Sequence, residues 1–401
     1  MTDNKKAKVS KLWTPDFIRL VIWQVLVFNG LTSITGTFSV YAVERFNASP
    51  VEIGVISSVL IFSAFLFRPV AGILIDRFGR RITTAMALVP MIIFNPMLML
   101  PDTLFGLGIL RFLMGLPFAM ITTANSALRT DIIPGKHRMD GFSITAITMI
   151  FSALVIGPNL GFLILQIADF PTLFIVSSAL FLIALILFTK MRFKDITTEK
   201  ITFSFSDILE PRVMWITLIL GINFIGWPGI LNFGPLYAEE VGLAFAGLLF
   251  TAYGVGLIIS RPVIKFTERR GAPLSLKAVG VLALIAGHAI IGFVNHPRGF
   301  LFGMVFLGLG YGYCFAVLQK LAFDLVEPER RGRCAATIYL NQNLGSTIGR
   351  FIFGYTAQSA GTYAVTYQIS AAVCVVPLFI LLFISLPDYK RKLSQINPGI
   401  N

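Results

Sequence analysis

Charge is scarce in this chain, and negative charge scarcer still. Only 13% of the 401 residues are Asp, Glu, Lys or Arg, about half the share of a soluble domain. That deficit excludes an ordinary globular protein. Cysteine is nearly absent. Cys314, Cys334 and Cys374 lie far apart and form no CxxC pair, so they read as small apolar packing residues, with neither a disulfide nor a metal site expected. The chain also lacks a Walker sequence, a His-Glu zinc helix and a nucleophile elbow. These absences exclude ATP hydrolysis by the chain itself and leave an enzyme without support. No cofactor is expected.

What fills the space is hydrocarbon. Hydrophobic residues make up 56% of the chain, and mean hydropathy is +0.80. They come in long blocks: Val21–Tyr41 and Val51–Ile75 are each long enough to cross a bilayer core, which takes about 20 helical residues. Twelve such blocks lie near 18–42, 51–75, 82–100, 104–128, 141–166, 169–189, 213–238, 243–264, 274–295, 299–319, 335–358 and 363–386. Short separators with turn chemistry divide them, such as Asn47-Ala48-Ser49-Pro50 and Asn295-His296-Pro297. Barrel strands would be shorter and would alternate polar with apolar. The expected class is therefore an all-α membrane protein of twelve transmembrane helices. The first block follows a basic leader (Lys5, Lys6, Lys8, Lys11) and is too long for a signal peptide, so it reads as a retained helix.

The net charge of +13 is distributed as topology rather than as a nucleic-acid surface. With the N-terminus cytoplasmic, only Arg45 and Arg298 of the 33 Lys and Arg fall in outer loops. Arg68, Arg111, Arg261 and Arg350 lie within blocks. Basic short loops stay cytoplasmic, which predicts both termini inside a bacterial inner membrane, with membrane lipid as a partner and no nucleic acid.

The longest charged stretch between blocks, 190–212, divides the chain into an N-terminal six-helix bundle (1–189) and a C-terminal one (213–401). The halves repeat at an offset of about 193 residues: Arg68-Pro69-Val70 returns as Arg261-Pro262-Val263, and Asp131-Ile132-Ile133-Pro134 as Asp324-Leu325-Val326-Glu327-Pro328. Such internal repeats build many secondary transporters, with the substrate site between them near mid-membrane.

Three motifs give the repeat a family. The loop after the second block reads Gly72-Ile73-Leu74-Ile75-Asp76-Arg77-Phe78-Gly79-Arg80-Arg81. It resembles the signature loop of the major facilitator superfamily. The fourth block carries Arg111-Phe112-Leu113-Met114-Gly115, similar to the family's second motif with Met in place of Gln. The fifth carries Gly157-Pro158-Asn159-Leu160-Gly161-Phe162, similar to its antiporter motif with Phe162 in place of the last Gly. The resemblance covers essentially the whole chain. Its spacing is nearest to bacterial twelve-helix drug and metabolite exporters, and the Asp131–Arg138 loop is similar to that of opine-metallophore exporters. It implies the superfamily fold of two pseudo-symmetric six-helix bundles, most simply a monomer. It also implies a conformational latch of Gly72, Asp76, Arg77, Gly79 and Arg80, in which glycine permits close helix approach and a tight turn.

Many proton-coupled exporters of this family carry an acid buried in a membrane helix. Here all 20 Asp and Glu fall at block ends or in loops, leaving Glu44, Asp131, Glu239 and Glu240 as proton-coupling candidates. The embedded charges are positive. A cation inside a membrane helix costs at least ~2.5 kcal/mol, so Arg111 either faces a watery cavity or snorkels to the outer interface, and Arg350 meets either an anion or backbone carbonyls. In this family blocks one, four, seven and ten line the cavity. That implies substrate contacts at Gln24, Asn29, Asn125, Asn223, Trp227, Tyr311 and Tyr313, beside Arg111 and Arg350. The expected function is secondary active export of small amphipathic, anionic or zwitterionic molecules by alternating access, coupled to protons. The alternative is an uptake or exchange carrier for anionic metabolites or siderophores, with the two arginines as its clamp.

Overall fold

The computed structural model describes residues 12–193, 209–269, 273–327 and 330–396. The basic leader, most of the expected 190–212 linker, Arg270, Gly271 and Pro328 lie outside them.

Every regular element among the described residues is helical. Helix α1 (Pro15–Phe46) starts where Thr14 accepts a bond from the Phe17 amide and ends at Asn47, whose backbone is left-handed. Helix α2 (Pro50–Met97) opens with a capping box between Ser49 and Glu52. It runs for 48 residues but breaks at Gly79 (φ 76°, ψ 170°), so the second and third expected spans are two arms of one kinked element. Helix α3 (Leu104–Ile132) is the fourth span. Helix α4 (Arg138–Phe151), a π turn at Ser152–Ile156 and α5 (Gly157–Ile167) form the fifth, and α6 (Phe170–Thr189) the sixth.

The second half is more interrupted. Its opening span is cut into α7 (Met214–Asn223), a 3-10 turn at Phe224–Gly226, α8 (Pro228–Leu231) and α9 (Gly234–Glu240). Then follow α10 (Leu248–Thr267), α11 (Val279–Phe293), α12 (Pro297–Asp324) and α13 (Arg331–Ala360). The last span joins α14 (Ala364–Val373), α15 (Val375–Ile380), a π turn and α16 (Leu386–Ile396).

Ten of these stretches are long and apolar enough to cross a membrane. The Gly79 break turns one of them into two spans. The remaining span is α13, 30 residues long but too polar to qualify on hydropathy. Twelve spans in two sets of six result, so both chain ends lie on one face.

Each half has its own core. One apolar cluster joins Phe17, Trp23, Phe38, Met91, Leu128, Phe174 and Phe188; the other joins Ile219, Phe233, Tyr253, Leu307, Tyr313, Phe353 and Tyr367. Within each half, glycines let the first and fifth spans cross at backbone contact. A Cβ on Gly161 would lie 2.4 Å from the Ser33 carbonyl, and one on Gly345 1.8 Å from that of Gly221. The halves meet at the face opposite the chain ends. There the Val51 amide donates to Gln358 (3.3 Å) and Thr251 to Asn159 (3.4 Å), Phe162 stacks on Phe250, and a Cβ on Gly54 would lie 2.5 Å from the Arg350 carbonyl.

Candidate functional site

Beneath that closed face each half buries one guanidinium. Arg111 projects from α3 and is 3% exposed; Arg350 projects from α13 and is 5% exposed. The snorkelling alternative for Arg111 is thereby excluded. Its guanidinium stacks over the Phe38 ring of α1, 3.4 Å from the centroid, an interaction worth about 2 kcal/mol when desolvated. Arg350 donates from Nη1 to the Ser346 hydroxyl (2.9 Å) and carbonyl (3.1 Å) one turn earlier. The Nε of each makes no hydrogen bond, and among the described residues neither has a carboxylate partner. Arg111 lies within electrostatic reach of Arg350. It also borders a cavity of about 10 Å³ lined by Gly30, Leu31, Thr35, Asn95 and Met114, room for about one water molecule.

Why α13 can carry such a residue is legible in its spacing. Gln342, Ser346 and Arg350 fall four apart, on one stripe of the helix, and all three are buried. The Gln342 side-chain amide is another buried group without a hydrogen bond. Packed against α2 of the other half, this polar stripe faces protein instead of lipid. Ser346 and Phe38 contact the two arginines and Gln342 shares the buried stripe of Arg350; sequence reasoning passed over all three. The i, i+4 polar run within an otherwise apolar block was the available signal for Ser346 and Gln342.

Two further groups of expected contacts come together, one in each half. Gln24 donates to Asn125 at 2.7 Å, a buried bridge from α1 to α3, and Asn29 one turn further along has a buried oxygen without a hydrogen bond. In the second half, Trp227 stacks on Phe224 and meets Tyr311 edge-on, both at 5.0 Å. The Tyr311 hydroxyl donates to the Asn223 carbonyl at 2.9 Å, while both side-chain polar atoms of Asn223 make no bond. Tyr313 does not join them. Its hydroxyl donates to the Leu276 carbonyl (3.0 Å) and shares a bond with the Thr267 hydroxyl (2.8 Å), which turns the ring into the core between α10 and α11. Two residues along a helix is a rotation of about 200°, so Tyr311 and Tyr313 could not have shared a face.

The acids stay at the ends of the spans. Asp131 pairs with Arg80 at 2.6 Å, both largely buried. Glu240 accepts from the Thr362 hydroxyl and from the Tyr363 amide (3.0 Å), tying α9 to the start of α14. Glu44 and Glu239 are exposed. In the signature loop, Gly79 supplies the positive-φ turn and Arg77 lies over Phe78. Gly72 departs from expectation: a Cβ there would meet nothing within 4 Å, because no helix approaches it in this arrangement. Gly157 and Pro158 do make close contacts. A Cβ on Gly157 would strike the Thr32 hydroxyl at 2.0 Å, and one on Gly36 would strike Pro158 at 2.8 Å.

Twelve spans in two repeated sets, meeting over buried charges, define a membrane transporter and not an enzyme. The family description of the Major Facilitator Superfamily matches residues 20–287 and 241–399, and the chain belongs to that family. It is 24% identical to the cis,cis-muconate transport protein of Acinetobacter baylyi, over 98% of this chain and 100% of that one. It is 21% identical to the staphylopine export protein of Staphylococcus aureus, over 92% and 96%. The fold is that of the D-xylose–proton symporter crystal structure, with TM-score 0.74 and 17% identity over 93% of this chain and 98% of that one.

Proposed function

We propose that this transporter carries small organic carboxylates across the bacterial inner membrane by alternating access, with Arg111 and Arg350 as the paired anion contacts. The observation that carries this reading is the pair itself: two buried guanidiniums, one from each half, without a carboxylate between them. An uncompensated buried charge is costly, and removing the partner of a buried pair typically costs 3–5 kcal/mol. A carboxylate or dicarboxylate between the two would relieve both at once. Because the arginines belong to different halves, its arrival and departure would also couple binding to the relative movement of the halves. The relative named for muconate, itself a dicarboxylate, supports the substrate class. Gln24, Asn29, Asn125, Asn223, Trp227 and Tyr311 complete the proposed cavity lining.

Export is the direction we favour. The tight packing of the Gly157-Pro158-Gly161 motif on α1 and the relative named for staphylopine export support it. The face bearing the chain ends is assigned to the cytoplasm, because the basic loops lie there. The domains are proposed as 1–189 and 213–401 with the linker between them, acting as a monomer. Open space at Gly72 supports a latch role for Gly72, Asp76, Arg77, Gly79 and Arg80, closing against the second half when the halves rock the other way. Asp131, held by Arg80, is the proposed proton-coupling acid; Glu240 is occupied as a structural tie, and Glu44 and Glu239 face outward.

Binding measurements on purified protein test the anion site. Arg111→Ala and Arg350→Ala should each weaken a dicarboxylate such as muconate by about 100-fold, near 3 kcal/mol, with the uncharged diamide bound no better by the parent than by the variants. Unchanged dicarboxylate affinity in both variants would remove the proposal. Everted vesicles test direction: an exporter accumulates the dicarboxylate in them when energised.

A further inference from the structure

On the face bearing the chain ends, outside the central site, four cations converge on a cavity of about 700 Å³. Arg19 of α1, Arg81 of α2, and Lys190 and Arg192 just beyond α6 line it, with Asp16 as the one acid among the described residues of its lining. The lining is held in place by backbone bonds. Arg19 donates from Nη1 to Asp16 (2.9 Å) and to the Lys190 carbonyl (3.0 Å); Arg81 donates from Nη2 to the Met191 carbonyl (2.9 Å) and stacks over Phe193. Asp16 is already engaged twice, by Arg19 and by the Arg192 amide (3.0 Å). Its charge is therefore spent within the frame. The rest of each guanidinium fork remains open, and the Lys190 and Arg192 side chains make no bond of their own among the described residues.

Guanidinium forks with ammonium support recognise phosphate oxygens. Either a free phosphate or a lipid headgroup presents that chemistry, and the surroundings favour the lipid. Directly above the cations, α1 exposes Ile18 and Ile22, and α6 exposes Leu182, Ile183 and Ile186. Helices α1 and α6 pack side by side, so these residues offer acyl chains an apolar path that ends at the basic cavity. Trp13, exposed beside them, is a residue type that settles at headgroup level. We infer that this cavity binds the phosphate headgroup of an anionic phospholipid and anchors the first and sixth spans to the inner leaflet.

The test uses the full-length protein in detergent, with phosphatidylglycerol, phosphatidylcholine or inorganic phosphate added, read by native mass spectrometry and melting temperature. The variant Lys190→Gln/Arg192→Gln leaves the framing bonds of Arg19 and Arg81 in place. At about 1 kcal/mol per cation, it should lower phosphatidylglycerol retention by tenfold or more. The control Lys136→Gln/Arg138→Gln removes two exposed cations, one from the turn before α4 and one from its first residue, and should leave retention unchanged. Equal retention by parent and Lys190→Gln/Arg192→Gln, an equal loss in the control, or stabilisation by inorganic phosphate matching that by phosphatidylglycerol would overturn the assignment.

Discussion

In the first half the opening span, α1, runs unbroken for 32 residues, whereas its counterpart in the second half is cut into three helices and a 3-10 turn. Both spans are glycine-containing and both cross a fifth span at backbone contact. The difference lies in what happens to the carbonyls. In α1, Thr32, Thr35 and Thr37 turn their hydroxyls back on carbonyls four residues earlier, within 2.9 Å, and the helix continues. In the second half Pro228 has no amide to give, and the chain tightens so that Trp227 bonds Phe224 instead. Hydroxyls from neighbouring spans then take two of the carbonyls around the break: Tyr311 bonds Asn223 and Tyr367 bonds Gly229 at 2.5 Å. One half thus opens on a rigid rod and the other on a jointed span supported from outside. The charges are inverted as well. The first half pairs cationic Arg80 of the signature loop with Asp131, while the second sets acidic Glu268 between Lys277 and Lys320.

The largest expected effect comes from the two tight crossings. Gly345→Val forces a side chain onto the Gly221 backbone, and Gly161→Val one onto that of Ser33. Each should lose about 1–3 kcal/mol or more, with the second-half variant losing more because an added Cβ would lie closer to the facing carbonyl, 1.8 Å against 2.4 Å. Thermal unfolding of the purified variants measures both, and a reversed order would break the comparison. Next in size is Tyr367→Phe, which leaves the Gly229 carbonyl short of a donor at a cost of about 1 kcal/mol. The matching change Ser33→Ala, which removes a 3.3 Å bond to Gly30, should cost less because Ser177 also reaches that carbonyl, at 2.7 Å. Equal losses would mean that the jointed span relies on its hydroxyl no more than the rod does.

The smallest effect concerns the surface. Arg212 stands 193 residues after Arg19 and bonds Glu327 at 2.8 Å through both oxygens. That guanidinium holds the Glu327 carboxyl below its ordinary value of 4.5. A carboxyl lowered in the folded state contributes stability that is complete above the unfolded value and is lost as pH falls below it. Melting temperatures measured downward from pH 5 should therefore fall slightly less steeply in Arg212→Gln than in the parent. Parallel curves would remove the pair from the account.

Much of the fold is legible in the residues because the bilayer makes simple demands. Only a helix of some 20 apolar residues satisfies its own backbone there, so blocks such as 104–128 and 169–189 could be counted directly. The hardest span to see, α13, is polar for a reason that concerns other spans: it lies against α2, so Gln342, Ser346 and Arg350 never meet lipid. The site was legible in part. Arg111 and Arg350 stood out as charges within blocks, but their proximity, the Phe38 ring beneath Arg111 and the turning away of Tyr313 depend on helix rotation, which hydropathy does not encode.

By itself the sequence determined the number of spans, the two-half repeat and the superfamily, because hydrocarbon thickness and the signature loop are read along one dimension. Tertiary structure alone decided which buried groups face one another. It joined the halves at one face, left space around Gly72, and brought a guanidinium from each half within reach of the other. Those outcomes follow from glycine-mediated crossings between spans far apart in the chain, and a crossing too tight to admit a Cβ has no trace in local composition.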